Sequence, residues 1–142
     1  MATTAGRTAP AHLWIVGLLA LLWNAYGAYE YVMTQTHNAA FLASLPAGWL
    51  EYWQSLPPWL SSAWALGVWG GLVGAALLLI RSRHAVWAFA FSFVGVVVDL
   101  GYQMVMTEMP QGMLTPLDGL IIAVAAFLLL YARYMEKEGV LR

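Results

Sequence analysis

The chain contains no cysteine. That excludes disulfides, thiolate metal sites, a cysteine nucleophile and c-type haem attachment. Charge is almost as scarce. Lys, Arg, Asp and Glu make up 9% of the 142 residues, where a soluble domain carries roughly 25%. The six basic residues never form a run and the net charge is −1, so nothing prepares the chain for nucleic acid. There is no G-x-S-x-G, no phosphate loop and no H-E-x-x-H. His12, His37 and His84 stand apart from one another and from any acid at ligand spacing, which argues against zinc or haem. No catalytic residue, metal site or cofactor is expected.

What is present is apolar: 62% of the residues are hydrophobic, with eight Trp and seven Tyr. A soluble fold of this size could not bury so much apolar surface, whereas a bilayer removes the need. Four apolar stretches are each near the ~20 residues needed to cross a ~30 Å hydrocarbon core. They are placed at about His12–Met33, Trp59–Ile80, Ala85–Met106 and Pro116–Tyr134. In lipid, backbone N–H and C=O groups must be satisfied within the segment, so these are helices. Runs such as Gly74–Ile80 and Ile121–Leu130 do not alternate as barrel strands do.

The breaks between the stretches agree. Thr8 and Pro10 precede the first span, Pro57 and Pro58 the second, and Arg81-Ser82-Arg83-His84 turns into the third. Pro110 and Gly112 separate the third from the fourth, and Thr115-Pro116-Leu117-Asp118 reads as a capping box with proline at the first position. With four spans, Arg7, Arg81, Arg83, Arg133, Lys137 and Arg142 all fall on one side. The positive-inside rule makes that side, with both termini, cytoplasmic. Arg7, the run Leu13–Trp23 and the small residues Ala25 and Gly27 would also suit a cleaved signal peptide. The apolar character continues to Met33, however, and favours a retained helix. The fold expected is a single all-α transmembrane domain over 1–142: a four-helix bundle with one sizeable loop, Thr34–Pro58, outside.

Within that loop Trp49, Leu50, Tyr52, Trp53 and Leu56 fall on one helical face over about 46–56. This predicts a short amphipathic helix in the headgroup region, its aromatics in the interfacial belt. Ser44-Leu45-Pro46 and Ser55-Leu56-Pro57 repeat one tripeptide, each suited to starting a helix.

Polar groups inside the spans carry whatever function the sequence reveals, because an Asp at mid-span costs ~2.5–3.5 kcal/mol on insertion scales. Asp99 lies ~21 Å from the inner edge at 1.5 Å per residue, still within hydrocarbon. Ser92, Gly95, Asp99, Tyr102, Gln103 and Met106 share its face, and Phe91, Val94 and Val98 lie opposite. On the first span Gly17, Ala20, Asn24, Gly27 and Tyr31 form a matching stripe. Asn24 is ~18 Å from the inner edge, so it could meet Asp99. With Glu30, Tyr102, Gln103 and Asp118 these residues suggest an acidic pocket open outward for a ligand or a proton. The plain alternatives are interhelical hydrogen bonding for Asn24, Asp99 and Gln103, and helix capping for Asp118. Gly67, Gly70, Gly71 and Gly74 give overlapping G-x-x-x-G patterns, read as close packing within the bundle rather than as a dimer interface.

Several segments carry a resemblance: His12–Gly17, Leu22-Trp23-Asn24, Met33–Thr36, Trp64–Gly71 and Leu79–Arg83. Over roughly the first three spans the chain resembles a group of uncharacterised small four-helix proteobacterial inner-membrane proteins, often labelled automatically as sugar transporters. The resemblance implies a multi-pass protein of the bacterial inner membrane with a small-solute role. It supplies no functional residues, and no sugar-binding signature is visible. Three classes follow. The leading one is a small-solute transporter or pore component acting as a homo-oligomer in the lipid bilayer. An accessory or assembly subunit of a larger membrane complex is the second. A membrane-embedded enzyme or lipid-binding bundle, with Asp99 and Glu30 as acid and base, is the third.

Overall fold

The computed structural model describes residues 8–109 and 115–142. Arg7, Pro110 and Gly112 of the sequence argument lie outside them. The described residues form six helices: α1 (Ala11–Gln35), α2 (Ala39–Ala43), α3 (Trp49–Ser55), α4 (Trp59–Leu79), α5 (Ala85–Met106) and α6 (Pro116–Lys137). Four of them, α1, α4, α5 and α6, are long and apolar enough to cross a membrane. The chain is a membrane-spanning helical protein.

α1 and α6 outrun their apolar stretches, α5 matches its own, and α4 stops one residue short at Leu79. α6 continues past Tyr134 to Lys137 because Met135 is fully buried there. Hydropathy marks where hydrocarbon ends, whereas a helix ends where its carbonyls find other partners. For α6 that stop is Gly139, at a φ of 76° suited to glycine, where Val140 N–H returns to the Met135 carbonyl.

α4 and α5 form the centre of the bundle; α1 packs on α4 and α6 packs on α5. The α4–α5 seam is close. A Cβ on Gly95 would lie 2.6 Å from Gly67 N and 2.7 Å from Ala63 O, both backbone atoms. Ser92 Oγ donates to Gly67 O at 2.6 Å across the same seam. Gly67 and Gly70 face α5, Gly71 faces Asn24 of α1, and Gly74 faces Phe89. All four glycines are occupied inside the chain's own bundle, by two different neighbours.

The apolar core lies toward one end. Leu13 and Ala20 of α1, Leu78 of α4, Phe89 of α5, and Leu128 and Met135 of α6 pack there with Val140 and Leu141 of the tail. The tail is pinned to the α4–α5 turn: Arg83 N donates to Arg142 O at 3.0 Å, and Arg142 N to Arg81 O at 2.8 Å. Arg81 Nε donates to Val140 O at 3.1 Å. His12 Nδ1 and Tyr131 Oη, 2.5 Å apart, join α1 to α6. Arg81, Arg83, Arg133, Lys137 and Arg142 gather at this end, called the basic end below.

At the opposite end the repeated tripeptide closes helices before opening them. Ser44 Oγ donates back to Phe41 O, and Ser55 Oγ to Tyr52 O. Pro46 O then accepts from Trp49 N, and Pro57 O from Leu60 N. Each tripeptide thus stands before a helix start, as expected, and its serine also ends the helix before it. Gly48 at φ 84° makes the sharp turn into α3. The short helix α2, capped by Asn38 Oδ1 on Phe41 N at 2.9 Å, was not anticipated from the sequence.

Candidate functional site

Helix packing leaves a cavity in the half away from the basic end. Its volume is about 310 Å³, and all four spans and α3 line it. Five of the six polar residues singled out in the sequence lie on its wall: Asn24, Glu30, Asp99, Gln103 and Asp118. Tyr102 does not. One step along α5 from Gln103, its ring packs edge-on against Trp59 at 5.2 Å, outside the cavity. A six-residue stripe is wider than the strip of α5 that faces the interior, and Tyr102 falls off its edge.

Asp99 is buried, 7% exposed, two turns before the end of α5. Its Oδ1 accepts from Gln103 Nε2 at 3.0 Å, and among the described residues no second group is bonded to Oδ2. Gln103 is held in turn from the loop. Thr107 Oγ1 donates to the Gln103 carbonyl at 2.6 Å, which commits the only hydroxyl proton Thr107 has. Tyr52 Oη, 2.7 Å from Thr107 Oγ1, is therefore the donor between them. Gln103 Oε1 lies 3.4 Å from the same Tyr52 oxygen. A single chain of hydrogen bonds thus runs from the buried carboxyl to α3.

Asn24 does not meet Asp99 through a hydrogen bond. Its Nδ2 donates to the Ala20 carbonyl of its own helix at 2.8 Å, and its side chain fills the notch at Gly71 of α4. Equal depth put the two residues in one cavity, but α4 stands between α1 and α5. Asp118 caps α6: Thr115 N donates to Asp118 Oδ2 at 2.8 Å, so one oxygen serves the helix terminus while the residue also reaches the cavity wall. Glu30 sits one turn beyond Tyr26, half-buried.

The rest of the wall is aromatic. Trp23, Tyr26, Trp49, Tyr52, Trp53 and Trp64 contribute to it. Trp49 and Trp53 stack at 5.8 Å, Trp53 meets Trp64 edge-on at 4.9 Å, and Trp64 meets Tyr31 at 5.0 Å. These contacts lay α3 across the cavity, so Trp49, Tyr52 and Trp53 point into the protein. Apolar spacing located the face of this helix, and that face packs on Trp64 and Thr107 of the same chain. Only the fold could show this, because Tyr52 and its partner Thr107 are 55 positions apart.

No protein-family model, no curated protein and no solved structure matches the chain.

Proposed function

We propose that the protein takes up a small solute into this cavity from the side opposite the basic end, as a transporter or transport component of a bacterial inner membrane. In this reading the basic end faces the cytoplasm, as the clustering of Lys and Arg favours, and the working unit is a homo-oligomer. The observation that carries the proposal is the buried carboxyl of Asp99, half satisfied by Gln103 and lining a space large enough for a small molecule. A carboxylate at this depth is costly, and Oδ2 opens on the cavity with no partner among the described residues. The cavity is blind: Leu13, Leu78, Phe89, Leu128 and Met135 close it toward the basic end. That favours a carrier over an open pore. At that closed end His12 and Tyr131 tie α1 to α6, and this is the contact whose opening would let a solute pass.

The test is solute flux in proteoliposomes, read alongside the intact mass of the gently extracted complex. Asp99→Asn keeps the shape of the side chain and an acceptor for Gln103. The expected result is a homo-oligomer of unchanged mass with flux lost. Wild-type flux in the variant would make Asp99 a structural residue, and a mass containing other polypeptides would favour the accessory-subunit reading.

A further inference from the structure

We propose that the ligand of this cavity is a small organic cation, an alkylammonium ion whose head lies against Asp99 and whose tail lies along a groove between α1 and α6. This deepens the reading above and rests on it. Three carboxylates, Glu30, Asp99 and Asp118, reach the wall, and among the described residues no Lys, Arg or His does. The imbalance extends beyond the cavity. Glu30, Glu51, Asp99, Glu108 and Asp118 lie in this half, and every described Lys and Arg lies toward the other end. An anionic solute, or an anionic group on a zwitterion, would meet only like charge.

A metal ion is the rival cation, and the geometry disfavours it. Among the described residues no group of three His, Cys, Asp or Glu side chains converges to hold one. The carboxyls are instead spread around a cavity walled by aromatic rings. An ammonium ion carrying alkyl groups is weakly hydrated, binds the faces of Trp and Tyr, and needs one carboxylate at a few ångströms rather than several in a shell. A neutral polyol would want hydroxyl and amide partners, but those on the wall are largely engaged. Ser92 Oγ donates to Gly67 O, Tyr52 Oη to Thr107, Gln103 Nε2 to Asp99 and Asn24 Nδ2 to Ala20 O. Among the described residues carboxylate oxygens are left open there, Asp99 Oδ2 and Asp118 Oδ1 among them.

The tail follows from the way the cavity ends. Trp23, Val124 and Leu128 line it and also line a shallow apolar groove of about 500 Å³. That groove runs between α1 and α6, where Val16, Leu19 and Phe127 complete its sides. The groove adjoins the cavity across Trp23, Val124 and Leu128, so in this proposal the tail of a ligand whose head is held by Asp99 passes between these side chains to reach it.

The experiment titrates the full-length protein, held in uncharged polyoxyethylene detergent, with four water-soluble probes, reading heat and bound mass. The probes are hexyltrimethylammonium, tetramethylammonium, hexyl glucoside and dihexanoyl phosphatidylcholine. Hexyltrimethylammonium is expected to bind saturably, one per chain, more tightly than tetramethylammonium and roughly tenfold or more better than the other two. Asp99→Asn, and separately Glu30→Gln, should weaken it, the former by about tenfold or more, as removing one member of a buried charge pair does. Hexyl glucoside binding best, with Asp99→Asn still harmful, overturns the cation while leaving the solute-binding reading intact. Phosphatidylcholine competing as well as the simple cation overturns the exclusion of anionic groups. Equal binding of the two ammonium ions removes the tail from the groove. If no probe binds, both this inference and the solute-binding reading fail.

Discussion

Gly95 and Gly101 are two glycines six residues apart on α5 with opposite environments. At Gly95 an added methyl would strike the backbone of α4, with Gly67 N and Ala63 O both inside 3 Å, and backbone cannot swing aside. At Gly101 there is nothing within 4 Å. Gly95→Ala is therefore expected to cost about 1–3 kcal/mol, the usual penalty of overpacking. Gly101→Ala should be neutral or stabilise by up to about 1 kcal/mol, since alanine loses less freedom in a helix. Unfolding midpoints of the two variants in detergent would check this, and equal midpoints would mean that the α4–α5 seam has slack. The sequence shows which faces carry small residues. It does not show that Gly71 receives Asn24 from α1 while its neighbour Gly70 receives α5 backbone, because one residue turns a helix through about a hundred degrees. The same limit separates Gln103, on the cavity wall, from Tyr102, off it.

At the scale of elements, the four spans were legible because crossing hydrocarbon is a requirement of length and composition, and both are written locally. The third span matches residue for residue, and the others differ by one to three residues at their ends. The role of α3 was not legible. A patch of Trp and Tyr outside the hydrocarbon suits a bilayer surface and a protein cavity equally well, and the contacts here depend on Trp64 of α4 and Thr107 just past α5. The tie at Tyr52 is a weak one, a net 0.5–1.5 kcal/mol by the usual worth of a hydrogen bond. Tyr52→Phe should therefore leave the bundle folded and speed hydrogen exchange across residues 49–55 by a factor of roughly two to ten. Exchange unchanged there would mean that the stacked aromatics alone hold α3 in place.

For the whole molecule, the gathering of Arg81, Arg83, Arg133, Lys137 and Arg142 at one end was legible, since it needs only the order of the spans and the positions of these residues. Which end is closed was not: it depends on Phe89, Leu128 and Met135 meeting across three turns of chain and on the tail pinned by Arg81 and Arg83. The lack of native cysteine makes the orientation simple to test. Gln54→Cys, on exposed α3, should react with a membrane-impermeant maleimide added to intact cells. His84→Cys, at the basic end, should react only after lysis. The reverse pattern would invert the protein in its membrane.

Asp99 lies two turns from the cavity end of α5, ~10 Å into a ~30 Å core. A cation seated there has crossed about a third of the electric field, and a full crossing is worth ~2.3 kcal/mol per 100 mV. With the interior negative, the resting potential would itself draw such a ligand inward, by up to about fourfold in occupancy for each 100 mV. The membrane voltage would then act as a second, adjustable contributor to affinity, and de-energised cells would hold the ligand less tightly than living ones.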